Sequence, residues 1–328
     1  MTQAAEAAAT YRDDLAGVNQ RVLAQLLALW AAIETVDVLA SWAELLVDAA
    51  AWVIAGQLVA AGLADPYLDE VLDDRTSSGH QVQSQAFAGT TGSGLIESLL
   101  YLPAIDARGR IAAGMAPAVA LHQAAPWLAT YARTAVSDAG RLAVTTGMTA
   151  RRPATGYYRM LQLPCCARCA ILAGKWFAWN RGFARHPNCD CVHIPVQEAD
   201  DSLLFNPRAA IESGQVKGLS KANTRAIVEY GADPAQVVNA YRRGVTLAGG
   251  HRFTTEGITR RDLRTALADP ATTARYTTIL ARGTRFSPAL TSHTAMPARP
   301  MRPMPDDLVE KAPSRDEAIR LLQAYGYL

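Results

Sequence analysis

Apolar residues recur at helical spacing through most of the N-terminal half. Between positions 10 and 36 they step by three and four residues, which places them on one face of a helix. A second helix is predicted from Ser41 to Gly62, with Ser41 as the N-cap and Glu44 at the capping-box position. Two such helices bury their apolar faces against each other, so residues 1–75 are predicted to form a helical hairpin.

Polar residues and prolines divide the next part of the chain. Residues 76–95 are rich in Ser, Thr, Gly and Gln, which predicts a flexible loop or linker. Helical periodicity returns over residues 96–150. Pro103, Pro117 and Pro126 fall within this helical segment and predict several helices rather than one.

After position 150 the pattern changes to short aromatic and β-branched runs. The runs at 157–163, 175–179 and 192–196 have strand propensity. Strands of this length form a small module rather than a large sheet. Residues 151–200 are therefore predicted to form a separate module with short strands.

Beyond position 200 the pattern predicts small elements. Short helices are expected over 201–285, with a glycine turn and an extended arm at 247–256. A Pro-rich stretch predicts a semi-extended connector over 286–310. A C-terminal helix is predicted over 311–328, beginning with a capping box at Ser314.

The composition indicates a folded chain of about two domains. Half of the 328 residues are apolar, which is ample for a buried core. The N-terminus has no basic segment followed by an apolar one, so no secretory signal is expected. The most apolar stretch, Ala49 to Ala64, is shorter than the ~20 residues that a spanning helix requires. We therefore expect a buried helix there and no membrane contact.

Charge is distributed unevenly along the chain. Residues 1–100 carry thirteen acidic and three basic side chains, whereas residues 139–189 carry eight basic side chains and no acidic one. This asymmetry indicates either that the two parts have different partners or that they face each other within the fold. The basic stretch is a candidate surface for DNA phosphates or for a negatively charged protein. Its candidate contact residues are Arg141, Arg151, Arg152, Arg159, Arg168, Lys175, Arg181 and Arg185.

All five cysteines lie between positions 165 and 191. Cysteines clustered in this way, in a chain without an export signal, indicate metal ligands rather than disulfides. Cys166 and Cys169 form a C-x-x-C, and after sixteen intervening residues His186, Cys189 and Cys191 form an H-x-x-C-x-C. A structural zinc ion takes four nitrogen or sulfur ligands in a tetrahedron, and this spacing supplies them.

The fourth zinc ligand stays open between His186 and Cys191, because alternate residues of a strand point to the same face. Cys165 and His193 are expected to take no part. Zinc would add on the order of 10 kcal/mol of apparent folding free energy to a module that is too small to be stable by burial alone. The predicted fold class is thus mainly α, with a helical N-terminal half, a small zinc-stapled α+β module in the middle and small helices at the C-terminus. The zinc-ligand candidates are Cys166, Cys169, His186, Cys189 and Cys191.

The cysteine–histidine motif resembles a known family. The run Cys166-Ala-Arg-Cys169, then His186-Pro-Asn-Cys189-Asp-Cys191 and Pro195, is similar to the signature of phage Mu F-like minor capsid (head morphogenesis) proteins, in the form found in phages of actinobacteria. The resemblance covers about residues 140 to 328 and includes GQVKGLSKANTRAIVEYGAD, GVTLAGGHRFTTEG and SRDEAIRLLQAYGYL. The family often has arginine where this chain has Asp190, a difference that leaves the zinc ligands unchanged.

The resemblance implies a role in virion assembly. It implies a low-copy minor capsid protein at or near the portal, with the portal protein and the major capsid protein as partners and DNA nearby. The implied location is the virion, in the capsid interior or at the portal vertex, and the host cytoplasm during assembly. Proteins of this family are also commonly labelled as capsid maturation proteases, and some are fused to protease or toxin domains.

Two enzymatic alternatives are kept beside this structural role. A maturation protease requires a nucleophile beside a base, and His80 and His122 are the candidate bases, although no serine is singled out. A zinc-supported nuclease or toxin-like domain would use His251, Arg252 and Glu256. The cysteine region contains no Glu for acid–base chemistry at a metal, so the zinc is predicted to be structural and no catalytic residue is assigned.

Overall fold

The chain consists of two compact units. Unit 1 contains Met1–Gln162 and Gly174–Leu204, and unit 2 contains Leu163–Ala173 and Phe205–Leu328. The structure is a computed structural model, and it describes residues 2–72, 81–91, 94–151, 153–180, 189, 191–242, 244–248, 250–258, 260–274 and 301–328. As predicted, it is mainly helical with a few small sheets.

In its described residues, unit 1 is built on five helices. The fifth packs against the first, second and fourth, and therefore lies at the centre of the helical core. Alanines supply much of the buried surface on these helices, which lets the helix axes approach closely. The helices predicted over 10–36 and 41–62 are both confirmed. The five are α1 (Gln3–Ala31), α2 (Val38–Gly62), α3 (Ala64–Val71), α4 (Ile96–Ala112) and α5 (Pro117–Ala150).

The second helix begins earlier than predicted. The N-cap is Asp37, whose Oδ1 accepts a hydrogen bond from the backbone N–H of Ala40 at 3.1 Å. Ser41, the predicted N-cap, is already inside α2, and its Oγ accepts from the N–H of Glu34 at 2.9 Å. The predicted cap was wrong because two residues with capping side chains lie four positions apart, and the sequence alone does not rank them.

Prolines interrupt the helical segment at one position instead of three. Pro117 begins α5 in the first helical position, where its missing N–H costs nothing. Pro103 lies inside α4 and Pro126 inside α5, and both helices continue through them. An interior proline costs about 3 kcal/mol. The burial of both helices in the core of unit 1 outweighs that cost.

Part of the predicted flexible loop over 76–95 is folded. The buried side chain of Gln57 donates from Nε2 to the carbonyl of Thr90 at 3.0 Å and accepts the N–H of Gly89 at 2.9 Å. An amide side chain can donate and accept at once, so Gln57 satisfies two backbone groups of this segment in the way that a neighbouring strand would. The segment contains a 3-10 turn (Ser84–Phe87) and a short hairpin of β1 (Thr90–Thr91) and β2 (Gly94–Leu95).

Short strands occur at all three predicted positions of the middle region. These strands form an antiparallel sheet in unit 1, in the order β5-β3-β6, with Tyr157 of β3 opposite both Phe177 and Pro195. Two further strands, β4 and β7, pair in parallel in unit 2. The predicted module over 151–200 is thus divided between the two units. The five strands are β3 (Gly156–Met160), β4 (Cys165–Cys166), β5 (Trp176–Ala178), β6 (Val192–Val196) and β7 (Val216–Lys217).

Unit 2 combines small helices with a three-stranded antiparallel sheet. The extended arm predicted at 247–256 is a hairpin, and Gly250 adopts the positive φ of 74° that its turn requires. The sheet order is β10-β9-β8, from β8 (Thr246–Ala248), β9 (His251–Thr254) and β10 (Arg302–Pro303). The helices are α6 (Ala167–Ala170), α7 (Pro207–Glu212), α8 (Lys221–Val228), α9 (Pro234–Asn239), α10 (Arg260–Ala266), α11 (Pro305–Lys311) and α12 (Arg315–Ala324).

The C-terminal part confirms one prediction and changes another. Ser314 caps the last helix by accepting the N–H of Glu317 at 3.2 Å, as predicted. The predicted connector over 286–310 is folded where the structure describes it, because residues 301–310 contribute β10 and α11 to the core of unit 2. The buried side chains of Met301, Met304, Leu308 and Val309 supply the apolar surface. Residues 286–300 lie outside the described residues.

The apolar stretch in α2 and α3 is partly buried. Val38–Val71 is long and apolar enough to cross a membrane by length and composition, with 39% of its most apolar window buried. Ala49, Val53 and Ala60 are fully covered, whereas Trp52 is 43% exposed. The buried face packs against the other helices of unit 1.

Close helix packing in unit 1 gives a stability prediction. A Cβ atom at Gly140 of α5 would lie 2.9 Å from Leu15 Cδ2 and 3.1 Å from the carbonyl oxygen of Ala60. We expect Gly140→Ala to lower the free energy of unfolding by about 1–3 kcal/mol through overpacking. The matched control is Gly109→Ala in α4, where a Cβ meets nothing within 4 Å. That change should raise stability by about 0.5–1 kcal/mol. Equal effects in urea denaturation would contradict the packing described here.

Candidate functional site

Two cysteines of the predicted zinc site lie side by side in unit 1. The sulfurs of Cys189 and Cys191 are 2.8 Å apart, and both side chains are buried. The two side chains converge although the strand expected to align them, Val192–Val196, begins only after Cys191. His186 and Asp190, which flank Cys189, lie outside the described residues.

Two buried arginines surround this cysteine pair. Arg159 donates from Nη2 to the sulfur of Cys189 at 3.2 Å. Arg141 donates from Nε to the carbonyl of Cys191 at 2.7 Å and from Nη2 to the carbonyl of Cys189. The hydrogen bond with Cys189 and burial raise the pKa of the Cys191 thiol, and Arg159 opposes the rise. Guanidinium groups in this position stabilise negative charge on sulfur.

The C-x-x-C forms a separate knuckle in unit 2. A cis peptide bond joins Leu163 to Pro164 just before it. Cys166 lies at the start of the four-residue α6, and its sulfur accepts the backbone N–H of Cys169 at 3.3 Å. Amide donors to sulfur favour the thiolate, the form that binds metal. Cys169 is itself buried.

Both cysteine pairs, Cys166 with Cys169 and Cys189 with Cys191, offer thiolates, which are ligands that zinc prefers. With zinc–sulfur bonds of about 2.3 Å, two thiolates of a tetrahedral site lie about 3.8 Å apart. The sulfurs of Cys189 and Cys191 would have to separate by about 1 Å to bind together. Among the residues that the structure describes, no group of three or more His, Cys, Asp or Glu side chains is placed to hold a metal ion. Cys166 and Cys169 belong to unit 2 and Cys189 and Cys191 to unit 1, so one shared zinc ion stays a prediction.

The two residues expected to be bystanders have other contacts. The N–H of Cys165 donates to the carbonyl of Gln215 at 2.9 Å, as part of the pairing between β4 and β7. His193 lies in β6, where its carbonyl accepts the hydroxyl of Tyr67 at 2.5 Å. Its ring packs on Tyr157, with the two ring centroids 4.3 Å apart.

Three of the eight predicted contact cations are buried in unit 1. Arg141, Arg151 and Arg159 are only 2–3% exposed. Arg151 pairs with Asp65 at 3.1 Å and with Asp69 at 2.7 Å, so the basic middle and the acidic N-terminal part do meet at this point. Contact of these three arginines with DNA or another protein would require their internal contacts to break.

The other five cations have varied surroundings. Arg168 donates to Oδ1 of Asn239 at 2.5 Å within unit 2, and Lys175 is exposed. Arg152, Arg181 and Arg185 lie outside the described residues. Of the predicted contact set, Lys175 alone among the described residues is fully available to a partner.

A charged cluster in unit 2 surrounds the predicted His251 and Arg252. Nδ1 of His251 lies 2.5 Å from Oδ2 of Asp307, and Nη2 of Arg252 lies 2.7 Å from Oδ2 of Asp306. Both aspartates are 2% exposed, and Lys311 adds a second cation at 2.9 Å from Oδ1 of Asp307. Buried carboxylates require such partners, since an unpaired one costs several kcal/mol.

Sequence reasoning missed several members of this cluster. The sequence pattern places Asp306 and Asp307 in a connector, and fifty-six positions separate Asp307 from His251, so no spacing motif links them. Tyr241 hydrogen-bonds Asp306 and accepts from Nδ2 of Asn223 at 2.7 Å, and burial raises the pKa of its hydroxyl. The only signal for this cluster in the sequence is the pair of adjacent acids before two apolar residues. Two adjacent acids are also common in the first turn of an ordinary helix.

Among the residues that the structure describes, the other enzymatic candidates are not assembled into a site. His80 lies outside the described residues, and His122 is an exposed residue of α5 with no hydrogen bond to a described serine. Glu256, the third member of the predicted nuclease trio, offers its backbone carbonyl to Nε of Arg302 at 3.0 Å.

Comparison with known proteins found no relative of this chain. No protein-family model matches the chain, and no curated protein or solved structure matches it either. The similarity to Mu F-like proteins therefore rests on the cysteine–histidine motif and the C-terminal sequence stretches alone.

Proposed function

We propose that this chain is a minor capsid, or head morphogenesis, protein of a tailed bacteriophage that acts in virion assembly. The observation that carries the proposal is the C-x-x-C followed by H-x-x-C-x-C. In this proposal a structural zinc ion is bound by Cys166, Cys169 and Cys189, and His186 or Cys191 completes the site. The portal protein and the major capsid protein are the proposed partners.

The local surroundings of the cysteines support a structural zinc ion. Cys166 accepts an amide N–H, and Cys189 accepts a guanidinium N–H from the buried Arg159. Both donors stabilise thiolates before a metal arrives, so less free energy is lost when the protons leave. A structural ion of this kind requires no open coordination position.

The acidic surface of unit 1 supports a protein partner for the N-terminal helices. Asp65 and Asp69 are neutralised by Arg151. Most of the other described acidic residues between positions 1 and 100 are exposed. Complementary charge favours rapid encounter with a basic partner surface. In a head protein, such a partner would be the portal or the major capsid protein.

The test is co-assembly with the partner proteins. The chain should be produced together with the portal and major capsid proteins of the phage that encodes it, and the particles should be purified by sedimentation. Wild type should sediment with the particles, and Cys166→Ser/Cys169→Ser should be lost from them. A wild-type chain that stays soluble and separate from the particles would overturn the proposal.

The same particles test the protease alternative. A maturation protease would shorten the capsid protein, and the cleavage would disappear in His80→Ala or His122→Ala. Intact capsid protein in particles that contain the wild-type chain supports a structural role.

A second candidate is phosphodiester cleavage by unit 2. It is favoured by His251, because the buried carboxylate of Asp307 on Nδ1 orients the ring and leaves Nε2 as a base. We expect any nuclease activity of the purified chain on DNA or RNA to be lost in His251→Ala and retained in His122→Ala. Absence of cleavage by the wild-type chain with zinc present would remove this candidate.

A further inference from the structure

A pocket between α1 and α5 of unit 1 is lined by three arginines. Its volume is about 300 Å³, and Arg12 lies on one wall while Arg133 and Arg141 lie on the other. The described residues that line it include no carboxylate. Cys189 also lines the pocket. A concave site with three cations and no lining acid attracts an anion.

The charges of the pocket are only partly neutralised by neighbours outside it. Arg12 pairs with Asp13 at 2.7 Å, and Arg141 pairs with Asp138 at 3.2 Å. No carboxylate among the described residues pairs with Arg133. The buried Arg159 at Cys189 adds a further positive charge nearby. Among the described residues in and around the pocket, cations therefore outnumber carboxylates.

The pocket is already ordered for a ligand. Arg141 is held in place by the carbonyls of Cys189 and Cys191, so its remaining N–H groups keep a fixed direction. Asn19 donates to Oγ of Ser137 at 3.0 Å, whereas its Oδ1 is buried and has no hydrogen-bond partner within the described part of the chain. A buried amide oxygen without a partner costs free energy, which a ligand hydroxyl or a bridging water would recover.

We propose that this pocket binds a phosphate group, either as free phosphate or as a phosphate monoester. Guanidinium groups bind oxyanions through paired N–H donors. A carboxylate offers two oxygens in one plane, whereas a phosphate monoester offers three around a tetrahedral centre. Three arginines on two opposing walls match the tetrahedral arrangement of phosphate oxygens. Asn19 then faces the P–OH group or a bound water. This proposal does not depend on the zinc site or on a role in a phage head.

The test is calorimetric titration of the full chain with inorganic phosphate at low chloride. Wild type should bind one phosphate saturably. Arg133→Gln should weaken binding about tenfold, the usual effect of losing one charge-assisted hydrogen bond. Arg133 is exposed, so this variant should fold, and circular dichroism can verify that it does. The matched control is Arg108→Gln, an exposed arginine of α4 that does not line the pocket and carries the same charge change.

Three further measurements decide the outcome. Arg12→Gln should also weaken phosphate binding, because it removes a donor from the opposite wall. Acetate at the same ionic strength should not compete, and equal competition would overturn the preference for a tetrahedral oxyanion. A 5′-phosphorylated oligonucleotide that binds better than its 5′-hydroxyl form, in an Arg133-dependent way, would identify a terminal phosphate as the source; binding of free phosphate alone would identify a small molecule. Equal phosphate affinity of wild type and Arg133→Gln would overturn the proposal.

Discussion

Replacing Cys166 and Cys169 together with serine should remove one equivalent of zinc from the purified chain. The two thiolates are half of the predicted ligand set, and two remaining ligands do not hold a structural ion. Because the ion binds the folded state only, its loss should reduce apparent stability by up to about 10 kcal/mol. Metal content by elemental analysis, together with thermal unfolding of the same samples, measures both effects.

Cys165→Ser is the matched control for this experiment. Cys165 is adjacent to Cys166 and equally a thiol, but its backbone serves the pairing of β4 with β7. Its variant should keep one zinc per chain. Equal zinc content in wild type and in the double variant would show that the two cysteines are not ligands.

The fourth ligand can be settled in the same way. If His186 completes the site, His186→Ala should lose zinc and Cys191→Ser should retain it; an all-thiolate site gives the opposite result. The sulfur of Cys191 already lies 2.8 Å from that of Cys189, so a small rotation would let both bind one ion. Chelation by EDTA should reproduce the loss of stability in wild type and change the double variant little.

Local sequence patterns predicted most of the secondary structure, because helix caps and strand propensity depend on residues that are close in the chain. The aromatic run at 157–163 became β3, and the capping box at Ser314 begins α12 as expected. The prediction failed where tertiary contacts decide. Pro126 stays inside α5 because one face of that helix is buried along its length, and the polar segment after position 80 is folded because Gln57 binds its backbone.

The chemistry of the candidate sites was harder to predict, because it depends on pairs that are distant in the chain. The cysteines could be found because their spacing is local. The pairing of Arg151 with Asp65 and Asp69 joins positions more than eighty residues apart, and only a general charge asymmetry could be predicted. Arg302 and Asp307 stood in a proline-rich stretch whose composition favours an extended connector. Their burial follows from the neighbouring buried apolar side chains of Met301, Met304, Leu308 and Val309.

Arg302→Ala should destabilise unit 2 by about 3–5 kcal/mol. Arg302 is fully buried and donates to the carbonyls of Tyr325, Gly326 and Glu256 at 2.7, 3.1 and 3.0 Å. Its guanidinium also lies 3.8 Å from the ring centre of Tyr327. Removing it leaves these carbonyls without their donor and opens a cavity under the C-terminal residues.

Arg315→Ala isolates the effect of burial. Arg315 makes the same two kinds of contact, a hydrogen bond to the carbonyl of Glu229 at 3.1 Å and a stack on Tyr230 at 5.4 Å, but it is exposed. Water replaces both contacts, so this variant should lose less than about 1 kcal/mol. Because two units need not unfold together, the measurement is hydrogen–deuterium exchange of peptides from residues 301–328. Similar protection of these peptides in both variants would mean that Arg302 does not hold the C-terminal residues in place.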